Sequence, residues 1–301
     1  MIMDPQNQGA DESGLHCLLA HFNSVRLKPH GPQPASIAWA DDQRRCLALQ
    51  NDFVERERAH VLTAASEVPS EAQGFLKWFT TLVDDGAGQH DPLFPWLAEA
   101  ATIADMRWFL TQEAAGEAGF DDLVALTQVK LPNRAKLEMA RNYWDEMGRG
   151  QESGMHGVML DRLVSFLGLQ ASIDQTVWPS LALGNLMVAF ATDRQYAYQS
   201  IGALGVIELT APSRVAQVAA GLHRLGIPAS QRAYFDVHAV LDVKHSQAWN
   251  HDVIAPLVEQ DSNIATWIAE GALMRLAAGA RCFAAYRAYL GVEHATAEAG
   301  R

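Results

Sequence analysis

Two histidines and one aspartate are predicted to share one face of a single helix. His238, Asp242 and His245 follow one another at spacings of four and three residues, which places side chains one above another along an α-helix. Large apolar and aromatic neighbours such as Tyr234 and Leu241 indicate that this face points into a core. Two imidazoles and a carboxylate form a ligand set that suits iron or manganese. A metal needs more than three ligands, so the fold must place further ligand side chains against this helix within the core.

The composition of the chain narrows the classes of partner. Its 301 residues carry a formal net charge of -12 and contain no basic run, so we expect neither a nucleic-acid partner nor a membrane partner. The sequence also lacks the strand–glycine–helix unit that predicts a dinucleotide site or a phosphate loop. We expect a small-molecule substrate as the main partner.

The cysteines indicate the compartment. Cys17, Cys46 and Cys282 are far apart in the sequence, and an odd, sparse set of this kind fits the reducing cytoplasm better than a disulfide framework. Residues 1–8 show neither the basic region nor the apolar region of a signal peptide. We therefore expect a cytoplasmic protein.

Helical periodicity runs through nearly the whole chain. Alanine is abundant and β-branched alternation is scarce, which is typical of helices. We predict one all-α domain, built as a helical bundle over residues 36–292, with a flexible or irregular segment over residues 1–35 and a tail over residues 293–301. The predicted helices cover residues 36–66 (one or two helices), 70–82, 93–115, 121–131, 133–147, 153–168, 180–209 (one or two helices, ending at Pro212), 213–226 (from the N-cap Ser213), 229–253 and 262–290.

Further ionisable side chains stand where a helix should be apolar. Glu208 is the only charge in its apolar stretch, and a buried carboxylate is costly unless it is paired or bound to a metal. Glu113, Glu146 and His156 also have apolar neighbours at helical spacing, and Glu117 competes with Glu113. Taken singly, the acids fit surface ion pairs, and the histidine fits a hydrogen-bonded core residue. Together with the first three residues they form four carboxylates and three imidazoles, which fit a two-metal site inside a helical bundle, although the usual Glu-x-x-His pair is absent.

The spacing of these seven residues resembles that of the haem-oxygenase-like di-iron oxidases and oxygenases. That family has a Glu on its first core helix, then a Glu followed ten residues later by a His across a Gly-x-Gly break, and then a Glu roughly thirty residues before a His-x-x-x-Asp-x-x-His helix. The resemblance covers residues 105–250. The matching residues are Glu113; Glu146 and His156 on either side of Gly148-Arg149-Gly150; Glu208; and His238, Asp242 and His245.

The resemblance implies a bundle of about seven core helices, with the N-terminal helices as accessory elements, and a non-haem site for two iron ions with dioxygen as co-substrate. It implies a peroxo di-iron(III) intermediate and the oxidation of a small amine or amino-acid-like substrate in specialised metabolism, by N-oxygenation or by oxidative C–C or C–N cleavage. It also implies a homodimer, and an electron donor is a further candidate partner. We assign Glu113, His156 and Glu208 mainly to one iron, and the other four ligands mainly to the second.

Other functions stay open at this point. A di-iron fatty-acid oxidase or decarboxylase would use the same ligands but would need a long apolar tunnel. A metal-free all-α interaction or regulatory protein would use the polar stripe as a buried hydrogen-bond network. An inactive scaffold would bind iron without reacting with dioxygen. Arg149 and Arg214 are candidates for binding a substrate carboxylate, or they satisfy carbonyl groups at helix ends.

Overall fold

The computed structural model describes residues 5–31, 37–116 and 119–292. Every regular element among these residues is helical, as the helical spacing of the apolar positions predicts. The predicted all-α class is confirmed. A π-helical segment covers Trp249–Ile254. The α-helices are α1 Pro5–Arg26, α2 Ile37–Ser66, α3 Ala72–Asp85, α4 Leu93–Glu99, α5 Ile103–Gly116, α6 Phe120–Thr127, α7 Asn133–Glu146, α8 His156–Leu167, α9 Trp178–Thr192, α10 Ala197–Arg224, α11 Ala229–Ala248, α12 Ala255–Gln260 and α13 Ile264–Leu290.

Three helices form the centre of the bundle. α9 buries most of its side chains, yet neither it nor any other helix of the described residues is both long and apolar enough to cross a membrane. α10 and α13 cross in close contact at Gly202 and Gly271. A Cβ atom added at Gly202 would lie 1.9 Å from the carbonyl oxygen of Ile268, and one added at Gly271 would lie 1.8 Å from that of Gln199. The two glycines therefore let the helix backbones approach one another directly.

α10 is one continuous helix, whereas the sequence predicts an end at Pro212 and a new helix from Ser213. Pro212 lies inside α10, where it has no N–H to donate to the carbonyl of Glu208. A proline in a helix interior costs about 3 kcal/mol. Leu204 on one side of the proline and Leu222 on the other are both fully buried, so packing of both halves offsets this cost and holds the helix together.

The N-terminal segment is helical where the sequence predicts a flexible or irregular segment over residues 1–35. α1 buries His16, Leu19 and Asn23 on one face, and Asn23 donates a hydrogen bond of 3.0 Å to Asn185 of α9. Two of these three buried residues are polar, so the buried face is not visible as an apolar pattern in the sequence. Residues 1–4, residues 32–36 and the predicted tail over residues 293–301 lie outside the described residues.

The region predicted as one helix over residues 93–115 contains a break. α4 ends at Glu99 and α5 begins at Ile103, because Thr102 and Asp105 form a capping box. The Thr102 N–H donates to the Asp105 carboxylate at 2.9 Å, and the Asp105 N–H donates to the Thr102 hydroxyl at 3.3 Å. Such a pair at a spacing of three residues marks the start of a helix, so the sequence does contain the signal for this break.

Two apolar clusters meet along α10 and flank a partly open cavity. Leu204 belongs to the first cluster and Leu222 to the second. The cavity has a volume of about 240 Å³, and its lining takes Met187 from the first cluster and Phe109 and Phe283 from the second. The middle of α10, which carries Glu208, therefore lies beside this cavity.

Candidate metal centre

The loop between α7 and α8 brings Glu146 and His156 side by side. Gly148 has a φ angle of 59°, and a Cβ atom there would lie 2.4 Å from the carbonyl carbon of Gly154. The loop folds back this tightly only because the residue is glycine. As a result, Oε2 of Glu146 at the end of α7 lies 2.6 Å from Nδ1 of His156 at the start of α8.

His238 of α11 completes this first ligand group. Its Nε2 lies 3.0 Å from His156 Nδ1 and 3.9 Å from Glu146 Oε2, whereas its Nδ1 donates a hydrogen bond of 2.7 Å to the carbonyl of Tyr234. A neutral imidazole that donates from one nitrogen carries its lone pair on the other. When His238 is neutral, as a metal-bound imidazole is, Nε2 therefore offers a lone pair to the point that Glu146 and His156 also face. We call Glu146, His156 and His238 the first ligand group.

A second ligand group joins Glu208 of α10 to Asp242 and His245 of α11. One donor atom from each of the three lies within 4.8 Å of the other two, and His245 Nδ1 is 3.5 Å from Glu208 Oε2. Asn142 donates a hydrogen bond of 2.6 Å to Glu208 Oε1. His245 Nε2 donates one of 3.2 Å to Asp145 Oδ2, which leaves the Nδ1 lone pair directed at the other two ligands.

The donor atoms of both groups fit divalent metal ions. Five of the six side chains are buried, and His238 is partly buried. Asp242 Oδ1 and His245 Nδ1 are buried without a hydrogen-bond partner, and buried polar atoms of this kind are costly unless they are bound. A histidine whose second nitrogen donates to a carbonyl or a carboxylate is typical of a metal ligand. The mixed imidazole and carboxylate set suits iron or manganese.

The electrostatic potential at both groups favours positive charge. Burial opposes protonation of His238, but the carboxylates of Glu146 and Asp242 outweigh burial and raise its pKa to about 9. Burial also opposes protonation of His245, whose pKa is raised to about 9 mainly by Glu208. The same negative potential that retains a proton on these imidazoles attracts a divalent cation.

Asp242 is the least compensated acid of the two groups. Burial, followed by repulsion from Glu208, raises its pKa to about 8. Burial also acts to raise the pKa of Glu146, but hydrogen bonds from His156 and His238 outweigh it and lower that pKa to about 2. Because Asp242 Oδ1 has no such donor, Asp242 gains more than Glu146 from a neighbouring cation.

Six of the seven predicted ligands lie in these two groups, but the groups differ from the predicted partition. His156 lies with Glu146 and His238, and not with Glu208, because α8 begins directly beside the end of α7. His238 and Asp242 are one turn apart on α11, where Cβ atoms are about 5–6 Å apart. The stripe of three ligands on α11 therefore spans both groups, which places the groups next to each other.

Glu113 is the predicted ligand that joins neither group. Its Oε1 accepts a hydrogen bond of 2.8 Å from the hydroxyl of Tyr286 on α13. The accessible surface of Glu113 faces the cavity. Burial by the surrounding protein raises the pKa of this carboxyl group, and Tyr286, Arg275 and Arg214 partly offset that effect. The competing residue Glu117 lies outside the described residues.

Two residues beside the ligands were not predicted to have a role in the site. Asp145 pairs with the exposed Arg149 at 2.6 Å, but it also accepts the hydrogen bond from His245. Asn142, one turn before Glu146, holds Glu208. Asn142 shares a side of α7 with Glu146, four residues later, and Asp145 lies three residues after Asn142, so helical spacing alone could have indicated that both lie near the site. Of the two candidate arginines, Arg149 is exposed and Arg214 lines the cavity.

Comparison with known proteins finds a family match over the region of the chain that contains the two ligand groups. A family model described as an iron-containing redox enzyme matches residues 107–280, a range that includes all seven predicted ligands and extends the resemblance into α13. Among solved structures, a CADD-like protein of unknown function from Nostoc punctiforme is similar with a TM-score of 0.56 and 18% sequence identity, over 72% of this chain and 97% of that chain. At this identity the likeness shows a shared fold. No curated protein matches the chain. The predicted haem-oxygenase-like bundle is confirmed by the family match together with the all-helical structure.

Proposed function

Because this chain belongs to the family of iron-containing redox enzymes, we propose that it is a non-haem di-iron enzyme that uses dioxygen to oxidise a small amine or amino-acid-like substrate. The observation that carries this proposal is the pair of adjacent, buried histidine and carboxylate groups beside one cavity. The first ligand group holds one iron ion and the second ligand group holds the other. Two ferrous ions, when bound, supply two electrons to dioxygen.

The residues of the chain fix the geometry in which this chemistry takes place. The carbonyl one turn before His238 and the carboxylate of Asp145 hold the N–H groups of the two imidazoles on α11, so each ring keeps the orientation in which its lone pair faces a ligand group. Asn142 holds one oxygen of Glu208 and leaves the other directed at His245. Burial of the ligands keeps bulk water away from the reacting substrate.

The cavity favours a small polar substrate over a long-chain one. Its volume of about 240 Å³ is below the roughly 300–1,000 Å³ of sites for drug-sized ligands. Phe109 and Phe283 line it, but so do Glu113 and Arg214. The long acyl chain of a fatty acid would exceed the apolar part of this small cavity and extend against its charged groups, which is costly. An amine or an amino acid brings charges of its own, and we therefore favour this substrate class.

Anaerobic titration with Fe(II), followed by mixing with dioxygen, tests the proposed function. We expect two iron ions per chain, because each of the two groups offers three protein ligands, and a transient optical absorption after mixing with dioxygen that iron-free protein does not give. A chain that binds no iron would contradict the proposal and favour the metal-free interaction protein. Two bound irons without any reaction with dioxygen would favour the inactive scaffold.

Asp145→Ala should weaken iron binding at the second ligand group by about 10- to 100-fold, since Asp145 fixes the orientation of His245. Asp145→Asn keeps an amide oxygen that can accept the same hydrogen bond, so it should retain most of the affinity. Anaerobic Fe(II) titration calorimetry measures both. Arg149→Ala is the matched control, because it removes only the exposed partner of Asp145. If Arg149→Ala weakened iron binding as much as Asp145→Ala does, the ion pair and not the hydrogen bond would be the important contact.

A further inference from the structure

Two arginines face the cavity near the second ligand group. Arg214 of α10 and Arg275 of α13 line the cavity together with Glu113 of α5. Arg214 follows Glu208 by six residues on the same helix, which corresponds to about 9 Å along the helix axis. Arg214 and Glu208 of the second ligand group are therefore close enough along α10 for one small molecule in the cavity to reach both.

The surroundings of Arg214 fix its guanidinium without neutralising it. The centres of the Phe94 and Phe283 rings lie 5.9 and 5.5 Å from its Cζ, and such rings hold a guanidinium by cation–π attraction. It donates to Gln89 Oε1 at 3.4 Å and to Thr210 Oγ1 at 3.3 Å. Both bonds are longer than usual for N–H···O, and both acceptors are uncharged. Within the described part of the chain Arg214 forms no ion pair.

Two charged side chains of the cavity wall act on Arg214 with opposite sign. Burial, followed by repulsion from Arg275, lowers the pKa of Arg214 to about 9, and Glu113 offsets only part of this effect. A buried charge of this kind is stabilised when an opposite charge is added next to it. Because the two acceptors of Arg214 are uncharged, a carboxylate placed against its guanidinium would be bound favourably.

We propose that Arg214 and Arg275 bind the carboxylate of the substrate, which makes the substrate an amino acid or another small carboxylic acid and excludes a simple amine. Planar guanidinium groups bind carboxylates through paired, charge-assisted hydrogen bonds. The apolar rings of Phe109 and Phe283 on the cavity wall contact the hydrocarbon part, and the end to be oxidised lies towards the two ligand groups. The assignment of this carboxylate to a substrate rests on the proposed function.

A matched pair of probes with opposite charge tests this site. The full chain is loaded with Fe(II) under anaerobic conditions, and binding of hexanoate and of hexylamine is measured by titration calorimetry. We expect hexanoate to bind and hexylamine not to bind. Arg214→Gln should weaken hexanoate binding by about 10- to 100-fold, which is the usual effect of losing hydrogen bonds to a charged group. Arg44→Gln is the control, because Arg44 is exposed, forms an ion pair with Asp41 and does not line the cavity; it should leave hexanoate binding unchanged.

Two results would overturn the proposal: hexylamine binding as tightly as hexanoate, or hexanoate binding that is unaffected by Arg214→Gln, as a carboxylate bound only to iron would give. If Arg214→Gln does not fold, as judged by circular dichroism, Arg275→Gln replaces it and the same loss is expected. Iron is counted on the same samples, and binding is repeated after chelation. Arginine-dependent hexanoate binding without any iron uptake would support the carboxylate site while contradicting the di-iron function. Uptake of two irons without arginine-dependent hexanoate binding would support the di-iron function and contradict the carboxylate site.

Discussion

Asp242→Ala should reduce iron binding from two ions per chain to one. Asp242 supplies one of the three donors of the second ligand group, and its Oδ1 has no hydrogen-bond partner in the protein. The first ligand group keeps all three of its donors, Glu146, His156 and His238. The iron content after anaerobic loading and removal of excess Fe(II) measures this change. Two tightly bound irons in the variant would contradict the role of Asp242.

The control for this experiment lies on the same helix. Asp236 of α11 is partly exposed and pairs with Arg232 four residues earlier. It belongs to neither ligand group, so Asp236→Ala should bind two irons like the unaltered chain. Loss of iron in both variants would indicate that α11 is generally disturbed, and the assignment of Asp242 as a ligand would then be unsupported.

Removing the charge of Asp242 weakens metal binding, but it should stabilise the metal-free protein. The raised pKa of Asp242, about 8, means that the folded state holds this proton more tightly than the unfolded state, in which the pKa is about 3.9. The buried carboxylate therefore destabilises the metal-free fold increasingly as the pH rises through this window. Asp242→Asn keeps the shape and removes the charge, so metal-free Asp242→Asn should melt at the same or a higher temperature, with the largest difference near pH 8. A lower melting temperature would identify Asp242 as a structural residue.

Helical spacing predicts which ligands share a helix face, but it does not predict which ligands meet. His238, Asp242 and His245 do lie together on α11, as their spacing requires. Their division between two groups depends on where α8 and α10 pack against α11, and that packing is set by contacts far apart in the sequence. Glu113 shows the same limit: its spacing correctly turns it inward, yet the carboxylate meets Tyr286, 173 residues later in the chain.

The sequence also does not separate acids that bind metal from acids that form ion pairs. Glu270 stands in a stretch of α13 as apolar as that around Glu208, and it is equally buried. Its carboxylate accepts hydrogen bonds of 2.8 and 3.0 Å from Arg58 and another of 2.8 Å from Gln199. Such a paired, fully bonded acid has no need of a metal. The close partners of the Glu208 carboxylate are instead the amide of Asn142 and the imidazole of His245. This difference from Glu270 is visible only in the fold.

The class of the fold was predictable because it depends on local periodicity, whereas several helix boundaries depend on burial. Pro212 would end a solvent-exposed helix, but packing on both sides carries α10 through it. α1 forms because Leu19 is buried in the protein together with the polar residues His16 and Asn23. Asn23 is also hydrogen-bonded to Asn185. In both places tertiary contacts outweigh the local preference of the sequence.

Gly271→Ala should destabilise the fold by about 3 kcal/mol or more, as expected when a well-packed contact is overfilled, and lower the melting temperature by several degrees. The added Cβ would lie 1.8 Å from the carbonyl oxygen, 2.4 Å from the carbonyl carbon and 2.5 Å from the Cα of Gln199. All three are backbone atoms, so no side chain can rotate away and α10 itself must move. Because α10 carries Glu208, iron binding at the second ligand group should weaken in the same variant.

Gly14→Ala separates this backbone contact from the general effect of replacing glycine in a helix. Gly14 lies inside α1, and a Cβ atom there would have no heavy atom within 4 Å. Alanine is favoured over glycine in a helix interior by about 0.5–1 kcal/mol, so Gly14→Ala should melt at the same or a slightly higher temperature. The opposite signs follow from one fact: α10 and α13 approach more closely at Gly271 than any side chain allows. If Gly271→Ala melted like Gly14→Ala, the two helices would be free to separate, and their crossing would not fix the position of Glu208.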